Sequence, residues 1–187
     1  MPPKKIDEKE SMNYFKQFVI QFSGLSIGEH HFDFEVTDEF FEKIEYSEIN
    51  KGNVKIDVLL SKQENMLVFM FSMKGKVNVI CDRCSYPFDI EISGDKKLLV
   101  KFGNETYEET DEILIIPETD YQIDLYHYVY EYINLLLPIK KIHPEDNDGN
   151  STCNPEVIKK LEELENQNPI DSRWNELNKL KNNKFKK

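Results

Sequence analysis

The residues best suited to do chemistry in this chain of 187 residues are its three cysteines. Two of them belong to the motif Cys81-Asp82-Arg83-Cys84, which lies between two stretches of alternating hydrophobicity typical of β-strands. A C-x-x-C motif at the tip of a strand hairpin can place both sulfur atoms on the same side, which is half of a zinc knuckle. The motif therefore predicts half of a four-ligand metal site.

A structural zinc ion takes four ligands, so the pair needs two more. His143 and Cys153 are the candidates, because both lie in one polar loop between two predicted helices. The sequence thus predicts one structural zinc ion held by Cys81, Cys84, His143 and Cys153. Two alternatives stay open: reduced thiols without a metal, and a redox-active pair. Redox use normally places C-x-x-C at the start of a helix, whose dipole lowers the thiol pKa.

The stretch Gly24-Leu25-Ser26-Ile27-Gly28 matches the G-x-S-x-G nucleophile elbow of hydrolases. That elbow requires a sharp turn from a strand into a helix, whereas the residues after Gly28 alternate as in a strand. A turn bounded by glycines is the favoured interpretation. Phosphate-binding, dinucleotide-binding and H-E-x-x-H motifs are also missing from the sequence. We therefore expect no enzymatic activity and no small-molecule substrate.

Two arginines and one tryptophan are candidate recognition residues, because the chain contains no others of their types. Arginine is the preferred side chain for bidentate contacts with phosphate or carboxylate groups. The tryptophan could anchor an interface or pack on the chain's own core. Residues 173–187 also contain six basic residues and one acidic residue. The predicted partner-binding or RNA-binding residues are Arg83, Arg173, Trp174, Lys179 and Lys181.

The charge of the chain is unevenly distributed. Its 35 acidic and 24 basic residues give a formal net charge of −11, and residues 104–124 contain eight carboxylates without a lysine or arginine. An excess of acid argues against sequence-blind binding to a phosphate backbone, so any nucleic-acid contact should be local. An acidic surface steers encounter with a lysine-rich protein. A basic protein is therefore the expected main partner.

The sequence also bears on location. The first ten residues lack the apolar stretch of a secretory signal, and the longest apolar run, residues 66–71, is too short for a membrane helix. An odd number of cysteines argues against a disulfide framework. We expect a cytoplasmic protein with no membrane contact.

Residues 12–102 have mainly the pattern of strands. The candidate strands are residues 14–22, 32–36, 54–60, 66–71, 77–81, 86–92 and 113–116. The predicted fold is α+β, with a mainly antiparallel sheet or partly open barrel and C-terminal helices. Residues 1–138 are predicted to form a β-rich core closed by a helix. Residues 139–187 are predicted to form a polar loop and a helical, basic extension of the same structural domain.

Four helices follow from caps and from apolar residues at helical spacing. The first follows Thr37-Asp38, and the second carries Leu125, Val129 and Ile133 and stops before Pro138. The third opens at Asn154-Pro155-Glu156 and carries Val157, Leu161 and Leu164. The fourth follows Asp171 and carries Trp174, Leu177 and Leu180.

Taken in order, these motifs resemble those of a known family. The motifs are Gly24-Leu25-Ser26, Phe40-Phe41, Cys81-Asp82-Arg83-Cys84, Leu135-Leu136-Leu137-Pro138 and Asp171-Ser172-Arg173-Trp174. The chain resembles the YceD-type large ribosomal RNA subunit accumulation proteins, in a Bacteroidetes-like form. The resemblance implies a non-catalytic accessory factor in large ribosomal subunit biogenesis. Its implied partner is a ribosomal protein, an assembly intermediate or, locally, ribosomal RNA.

The sequence departs from that family pattern in two places. Many relatives have a second cysteine cluster after the L-x-L-P helix, whereas this chain has only Cys153 together with His143. It also reads Asp171-Ser172-Arg173 where Asp-Pro-Arg is more usual. Histidine is an accepted substitute for cysteine in a structural zinc site. The alternative function is a small zinc-binding or thiol-redox protein with another cellular role, and hydrolase activity ranks well below both.

Overall fold

The computed structural model describes residues 8–45 and 47–167. The helices are α1 (Glu8–Phe15), α2 (Asp38–Glu42), α3 (Tyr126–Leu135) and α4 (Pro155–Gln167), and a 3₁₀ turn spans Lys16–Phe18. The strands are β1 (Val19–Gln21), β2 (Gly28–Val36), β3 (Lys51–Lys62), β4 (Met66–Ile80), β5 (Pro87–Gly103), β6 (Tyr107–Thr110), β7 (Ile113–Pro117) and β8 (Gln122–Asp124).

Six of these strands form one open sheet in the order β2-β3-β4-β5-β7-β6. All neighbours pair antiparallel except β5 and β7, which run parallel. Strands β1 and β8 form a separate antiparallel pair. The predicted α+β fold with a mainly antiparallel sheet is confirmed.

The chain divides into two compact units. The first comprises Met1–Cys81 and Pro87–Lys141 and contains both sheets. The second comprises Asp82–Tyr86 and Ile142–Lys187. The division predicted between residues 138 and 139 stays a prediction.

The central strands form because their apolar residues alternate and so share one face. On β3, Val54, Ile56, Val58 and Leu60 are all buried, whereas the intervening Lys55 is exposed. On β4, Phe71 and Phe69 pair with Val58 and Leu60 and add buried aromatic side chains to the core. The alternation therefore determines which face of the sheet is covered.

Strand β4 is longer than predicted. The sequence suggested separate strands over residues 66–71 and 77–81, but β4 runs without a break from Met66 to Ile80. Between the two stretches, Met73 is buried while Ser72 and Lys74 are exposed. The alternation continues through these residues, and a single strand is the result.

The predicted strand over residues 14–22 is mostly wrong, because only Val19–Gln21 is extended. Phe15 and Phe18 are three residues apart, and this helical spacing lets both rings contact Phe40. Phe15 also stacks on Tyr126 of α3, with ring centroids 4.2 Å apart. These aromatic contacts favour helical over extended backbone in this segment.

Helix α3 is confirmed, and it ends at Leu135, before Pro138. Its Val129, Tyr132 and Ile133 are buried, and Tyr132 meets Phe71 of the sheet edge to face, with ring centroids 5.2 Å apart. Burial raises the pKa of Tyr132 above its ordinary value, so the phenol stays protonated at neutral pH.

Helices α2 and α4 are likewise found where they were predicted. The predicted helix after Asp171 and the basic stretch 173–187 lie outside the described residues. Within the described part of the chain, no helix is both long enough and apolar enough to cross a membrane.

Candidate metal centre

The first two candidate ligands lie in the loop that joins β4 to β5. Ile80 pairs with Pro87 across these strands, so residues 81–86 form a hairpin loop, as the sequence predicted. Cys81 and Cys84 are 1% and 2% exposed. The loop therefore buries both sulfur atoms although it consists mostly of polar residues.

The residue after the second cysteine has an unusual backbone. Ser85 has φ 60°, and it is the one non-glycine residue with a positive φ among those that the structure describes. The left-handed region costs a residue with a side chain about 1–2 kcal/mol, and such strain persists where the surrounding structure requires it. Here the strained turn directly follows the cysteine pair.

The other two candidate ligands flank a second loop. Glu145 and Ser151 form an antiparallel bridge. His143 lies two residues before Glu145, and Cys153 lies two residues after Ser151. The Thr152 hydroxyl donates a hydrogen bond of 2.6 Å to the carbonyl oxygen of Pro144. The paired backbone thus brings His143 beside Cys153.

Asp146 organises the tip of this second loop. Its Oδ1 accepts hydrogen bonds from the backbone amides of Asp148 at 3.0 Å and Asn150 at 2.7 Å. These hydrogen bonds, with that of Asn150 the strongest influence, lower the pKa of Asp146 below its ordinary value. Gly149, with φ 80°, supplies the left-handed residue that the turn needs.

The two loops bring four ligand atoms together. One ligand atom from each of Cys81, Cys84, His143 and Cys153 lies within 4.8 Å of the other three. The Nδ1 atom of His143 lies 3.5 Å from the Sγ atom of Cys84 and 3.8 Å from that of Cys153. In a tetrahedral zinc site, Zn–S and Zn–N bonds of about 2.3 and 2.0 Å put sulfur and nitrogen about 3.5 Å apart. The donor set and these two sulfur–nitrogen distances are compatible with zinc.

Burial supports the same interpretation. The structure describes the side chains of residues 82–86 and 142–165 of the second unit. Among these residues, only Cys84 and Cys153 are buried. A segment without an apolar core usually needs a disulfide or a metal to hold its shape. All three cysteines are outside disulfides. These residues could hold a metal ion, and four protein ligands would leave no open position for catalysis.

Helix α4 starts directly after the last ligand. The Asn154 side chain accepts a hydrogen bond from the amide of Glu156 at 2.9 Å, which is the predicted N-terminal cap. Pro155 occupies the first helical position, where its missing N–H costs nothing. The cap fixes where the helix begins relative to Cys153.

The structure places Arg83 at an exposed position between the two cysteines of the first loop. The other predicted recognition residues, Arg173, Trp174, Lys179 and Lys181, lie outside the described residues.

The G-x-S-x-G stretch leads into a strand, because Gly28 begins β2. The Lys62 ammonium group donates hydrogen bonds of 2.8 Å to the carbonyl oxygens of Phe22 and Leu25. These hydrogen bonds hold the start of the glycine-bounded turn against the end of β3. The strand-to-helix geometry of a nucleophile elbow is not formed here.

The acidic stretch 104–124 is largely exposed. All four residues of the edge strand β6 are exposed, as are Glu105 and Glu112 beside it. Glu109 forms an ion pair of 2.9 Å with Lys101, and Glu108 accepts a hydrogen bond from the Tyr128 hydroxyl. Most carboxylates of the stretch therefore face solvent, as expected for a charged surface.

Three residues that shape the candidate metal centre were not predicted from the sequence: Ser85, Asp146 and Thr152. A signal for Asp146 existed, since Asp followed three residues later by Gly is typical of a turn. Serine and threonine carry no comparable signal at the other two positions.

Comparison with family profiles gives a match. The family profile described as "Large ribosomal RNA subunit accumulation protein YceD" matches residues 69–181, more than half of the chain. The matched region contains all four candidate ligands. No curated protein and no solved structure matches the chain. The chain belongs to the YceD family of large ribosomal RNA subunit accumulation proteins.

Proposed function

We propose that this protein is a non-catalytic accessory factor in large ribosomal subunit biogenesis whose second unit is stabilised by one structural zinc ion. The observation that carries the proposal is the convergence of Cys81, Cys84, His143 and Cys153 inside the region that matches the family. The family description indicates the cellular process, which is accumulation of large-subunit ribosomal RNA. The ligand cluster supports the proposal that a metal ion stabilises the second unit.

The zinc ion would act as a cross-link. Cys84 and His143 are separated by 59 positions in sequence, and loop closure over such a length costs entropy that a bound metal offsets. A thiol-redox role explains the cysteine pair alone. It leaves the nearby His143 and Cys153 unexplained, so the cluster favours metal binding.

We propose that the acidic stretch 104–124 binds a lysine-rich ribosomal protein, free or within an assembly intermediate. Its exposed carboxylates would accelerate encounter with such a partner. Ribosomal RNA contacts would be local and would come from the basic residues Arg83, Arg173, Lys179 and Lys181. The interaction should weaken as the salt concentration rises.

Metal analysis tests the first part. The full chain, purified without chelator, should contain about one equivalent of zinc. Cys153→Ser should lose most of it, whereas Ser93→Ala on the exposed face of β5 should not. Absence of zinc from carefully handled wild-type protein would contradict the structural zinc.

Affinity purification tests the partner. Wild-type protein should recover ribosomal proteins after nuclease treatment. A variant with Glu105, Glu108, Glu109 and Glu112 all changed to Gln should recover far less. The matched control changes four exposed glutamates elsewhere, Glu29, Glu42, Glu45 and Glu64, and loses the same charge. Equal loss in both variants would assign the effect to net charge rather than to this surface.

Two further measurements address RNA and the cellular role. Affinity for large-subunit RNA should fall with added salt and with the charge reversals Lys179→Glu and Lys181→Glu, but little with Lys74→Glu on β4. Cells that lack the protein should accumulate large-subunit precursors in sucrose gradients. Normal precursor profiles would overturn the assembly role whatever the metal content.

A further inference from the structure

The six-stranded sheet has one face in the core and an opposite face, which we call the outer face. Toward the start of β3 and the end of β4, the outer face is polar, with exposed side chains such as Lys55, Lys74 and Lys76. An antiparallel sheet that meets water on one face is expected to alternate in this way along its whole length. The other end of the same two strands departs from this rule.

Five apolar side chains lie together on the outer face at that end. Leu59 is paired with Met70 across β3 and β4. Leu99 is paired with Val68 of β4 on one side and with Ile113 of β7 on the other. None of the five contributes to the core; Met70 is 40% exposed, and the others are half-buried. We call these five residues the apolar patch, and such a patch with a polar rim is typical of an interaction site.

Three exposed aspartates border the apolar patch on the same face. In this aspartate row, Asp33 is paired with Asp57, and Ser72 is paired with both Asp57 and Asp95. The Ser72 hydroxyl donates a hydrogen bond of 2.8 Å to Asp95. The row lies two residues beyond Met70, which is about 6.7 Å along a strand. No aspartate of the row forms an ion pair within the described part of the chain.

The charge around the apolar patch is predominantly negative. Asp33 and Asp57 stand directly opposite each other, and like charges in this position destabilise a sheet. The lysines on this part of the outer face are Lys97 and Lys101, and Lys101 forms its ion pair with Glu109 at 2.9 Å. Carboxylates therefore outnumber ammonium groups at the rim, and cations from a partner would relieve their repulsion.

The geometry points to a basic, amphipathic occupant: we propose that the apolar patch and the aspartate row together bind a helix of a lysine- or arginine-rich protein. Apolar side chains of that helix would cover the patch, and its cations would face the aspartates. The inference rests on the proposed function, because it names a second contact surface for the lysine-rich partner. Ile113 of the patch belongs to the acidic stretch 104–124, so the two surfaces are continuous.

The same charges disfavour the other occupants of such a surface. An RNA or an anionic lipid surface would bring phosphate groups against the aspartate row, and like charges repel. A second copy of the chain carries a formal net charge of −11, so its approach would add to the negative charge. A basic protein segment is the occupant whose charge and apolar content both match.

The test uses a labelled synthetic peptide of leucine and lysine patterned as an amphipathic helix, and a scrambled peptide of the same composition. Fluorescence anisotropy with the full chain should show several-fold tighter binding of the patterned peptide. The double variant Val68→Thr with Met70→Thr keeps β-branched or strand-compatible side chains and should weaken that binding roughly tenfold. The matched control is Ile80→Thr, since Ile80 lies on the same face of the same strand and is 43% exposed. It should bind as the wild type does.

A second pair of variants tests the charge. Asp33→Asn with Asp57→Asn should weaken binding of the patterned peptide and reduce its dependence on salt. Asp89→Asn with Glu91→Gln removes the same charge from the far end of the outer face and should do much less.

Methionine-methyl NMR of the unmodified chain guards against misfolding of the variants. Adding the patterned peptide should shift the methyl signal of Met70, whereas that of Met73, buried on the opposite face of β4, should stay in place. Equal affinity for the two peptides, equal weakening by the Met70 and Ile80 variants, or an unmoved Met70 signal would each overturn the proposal.

Other occupants would also be detected. Self-association that Val68→Thr with Met70→Thr abolishes would assign the patch to a second copy, and RNA binding that this variant abolishes would assign it to RNA; either result overturns the proposal. Ribosomal proteins recovered equally well by this variant would reject the surface and leave the proposed function in place. Peptide binding at the patch without recovery of any ribosomal protein would support the surface and reject the proposed partner.

Discussion

The hydroxyl group of Thr152 donates a hydrogen bond of 2.6 Å to the carbonyl oxygen of Pro144. Each of these residues is the immediate neighbour of a candidate metal ligand, Cys153 and His143 respectively. The hydrogen bond therefore fixes the separation of two ligands through the backbone. A loop constrained in this way has fewer conformations to lose when a metal binds, which would lower the ordering cost of binding.

His143 should be replaceable by cysteine but not by alanine. His143→Cys supplies a fourth thiolate, and four cysteines are an established structural zinc set. His143→Ala removes a ligand, and its zinc affinity should fall by at least about 100-fold, since losing an outer partner alone costs about 10–100-fold. Competition with a chromogenic chelator measures both affinities. His31→Ala on the exposed face of β2 is the control. Unchanged affinity in His143→Ala would remove His143 from the site.

Ser85 should tolerate glycine and reject valine. Glycine adopts a positive φ without steric cost, while a β-branched side chain is strongly disfavoured there. We expect Ser85→Val to lower the free energy of unfolding of the zinc-loaded protein by about 1–2 kcal/mol, and Ser85→Gly to leave it unchanged or slightly higher. Urea unfolding measures the difference. Ser93→Val, in an extended strand, should be neutral; equal losses at both positions would argue against backbone strain at Ser85.

Asp146→Ala should weaken metal binding although Asp146 is not a candidate ligand. Its carboxylate accepts the amide hydrogen bonds that close the loop between His143 and Cys153. We expect roughly tenfold weaker zinc affinity, as is typical when an outer support of a site is lost. Wild-type affinity in this variant would show that the bridge between Glu145 and Ser151 suffices.

The lowered pKa of Asp146 also predicts a pH dependence. Because the pKa is lower in the folded protein, its stabilising effect on the loop is fully present above the ordinary value of 3.8. The effect is lost as the pH falls through the lower folded value. Carboxyl carbon shifts followed by NMR should titrate below 3.8, and a midpoint at or above 3.8 would contradict the hydrogen-bonded carboxylate.

Asp57→Asn should stabilise the sheet at neutral pH. Asp57 faces Asp33 across β2 and β3. The hydrogen bond that the protonated Asp57 carboxyl donates to Asp33, followed by desolvation and by repulsion between the two carboxylates, raises the pKa of Asp57. Stability from the protonated form is present below the ordinary value of 3.8 and is lost as the pH rises through the folded value. The urea midpoint of Asp57→Asn should exceed that of the wild type at neutral pH, and the difference should vanish in acid. An equal difference at both pH values would exclude charge repulsion as its cause.

Gly75→Ala should destabilise the central sheet. A Cβ atom there would lie 2.6 Å from the Cα atom of Val54 and would also meet the carbonyl oxygen of Asn53, so backbone must move. Overpacking of this kind costs about 1–3 kcal/mol. Gly24→Ala is the matched control, since nothing lies within 4 Å of its Cβ position. Chemical denaturation of both variants separates steric contact from any general effect of losing glycine.

Much of the fold and part of the candidate site followed from local patterns. The alternation along β3, the helical spacing in α3 and the cap of α4 each depend on residues within one element, and all three were predicted correctly. The same reasoning was wrong for residues 14–22. There the contacts of Phe15 and Phe18 with Phe40 override a local pattern that suits either structure.

The sequence by itself determined which side chains are available to bind a metal, because C-x-x-C spacing and a nearby histidine and cysteine are properties of residue type and order. Only the tertiary structure decided that His143 lies 3.5 Å from Cys84, that Ser85 takes a left-handed backbone and that β7 joins β5 in parallel. The physical reason is the sequence separation over which each interaction acts. Periodicity reports which side of an element is buried, whereas the meeting of residues 59 positions apart depends on the packing and chain entropy of everything between them.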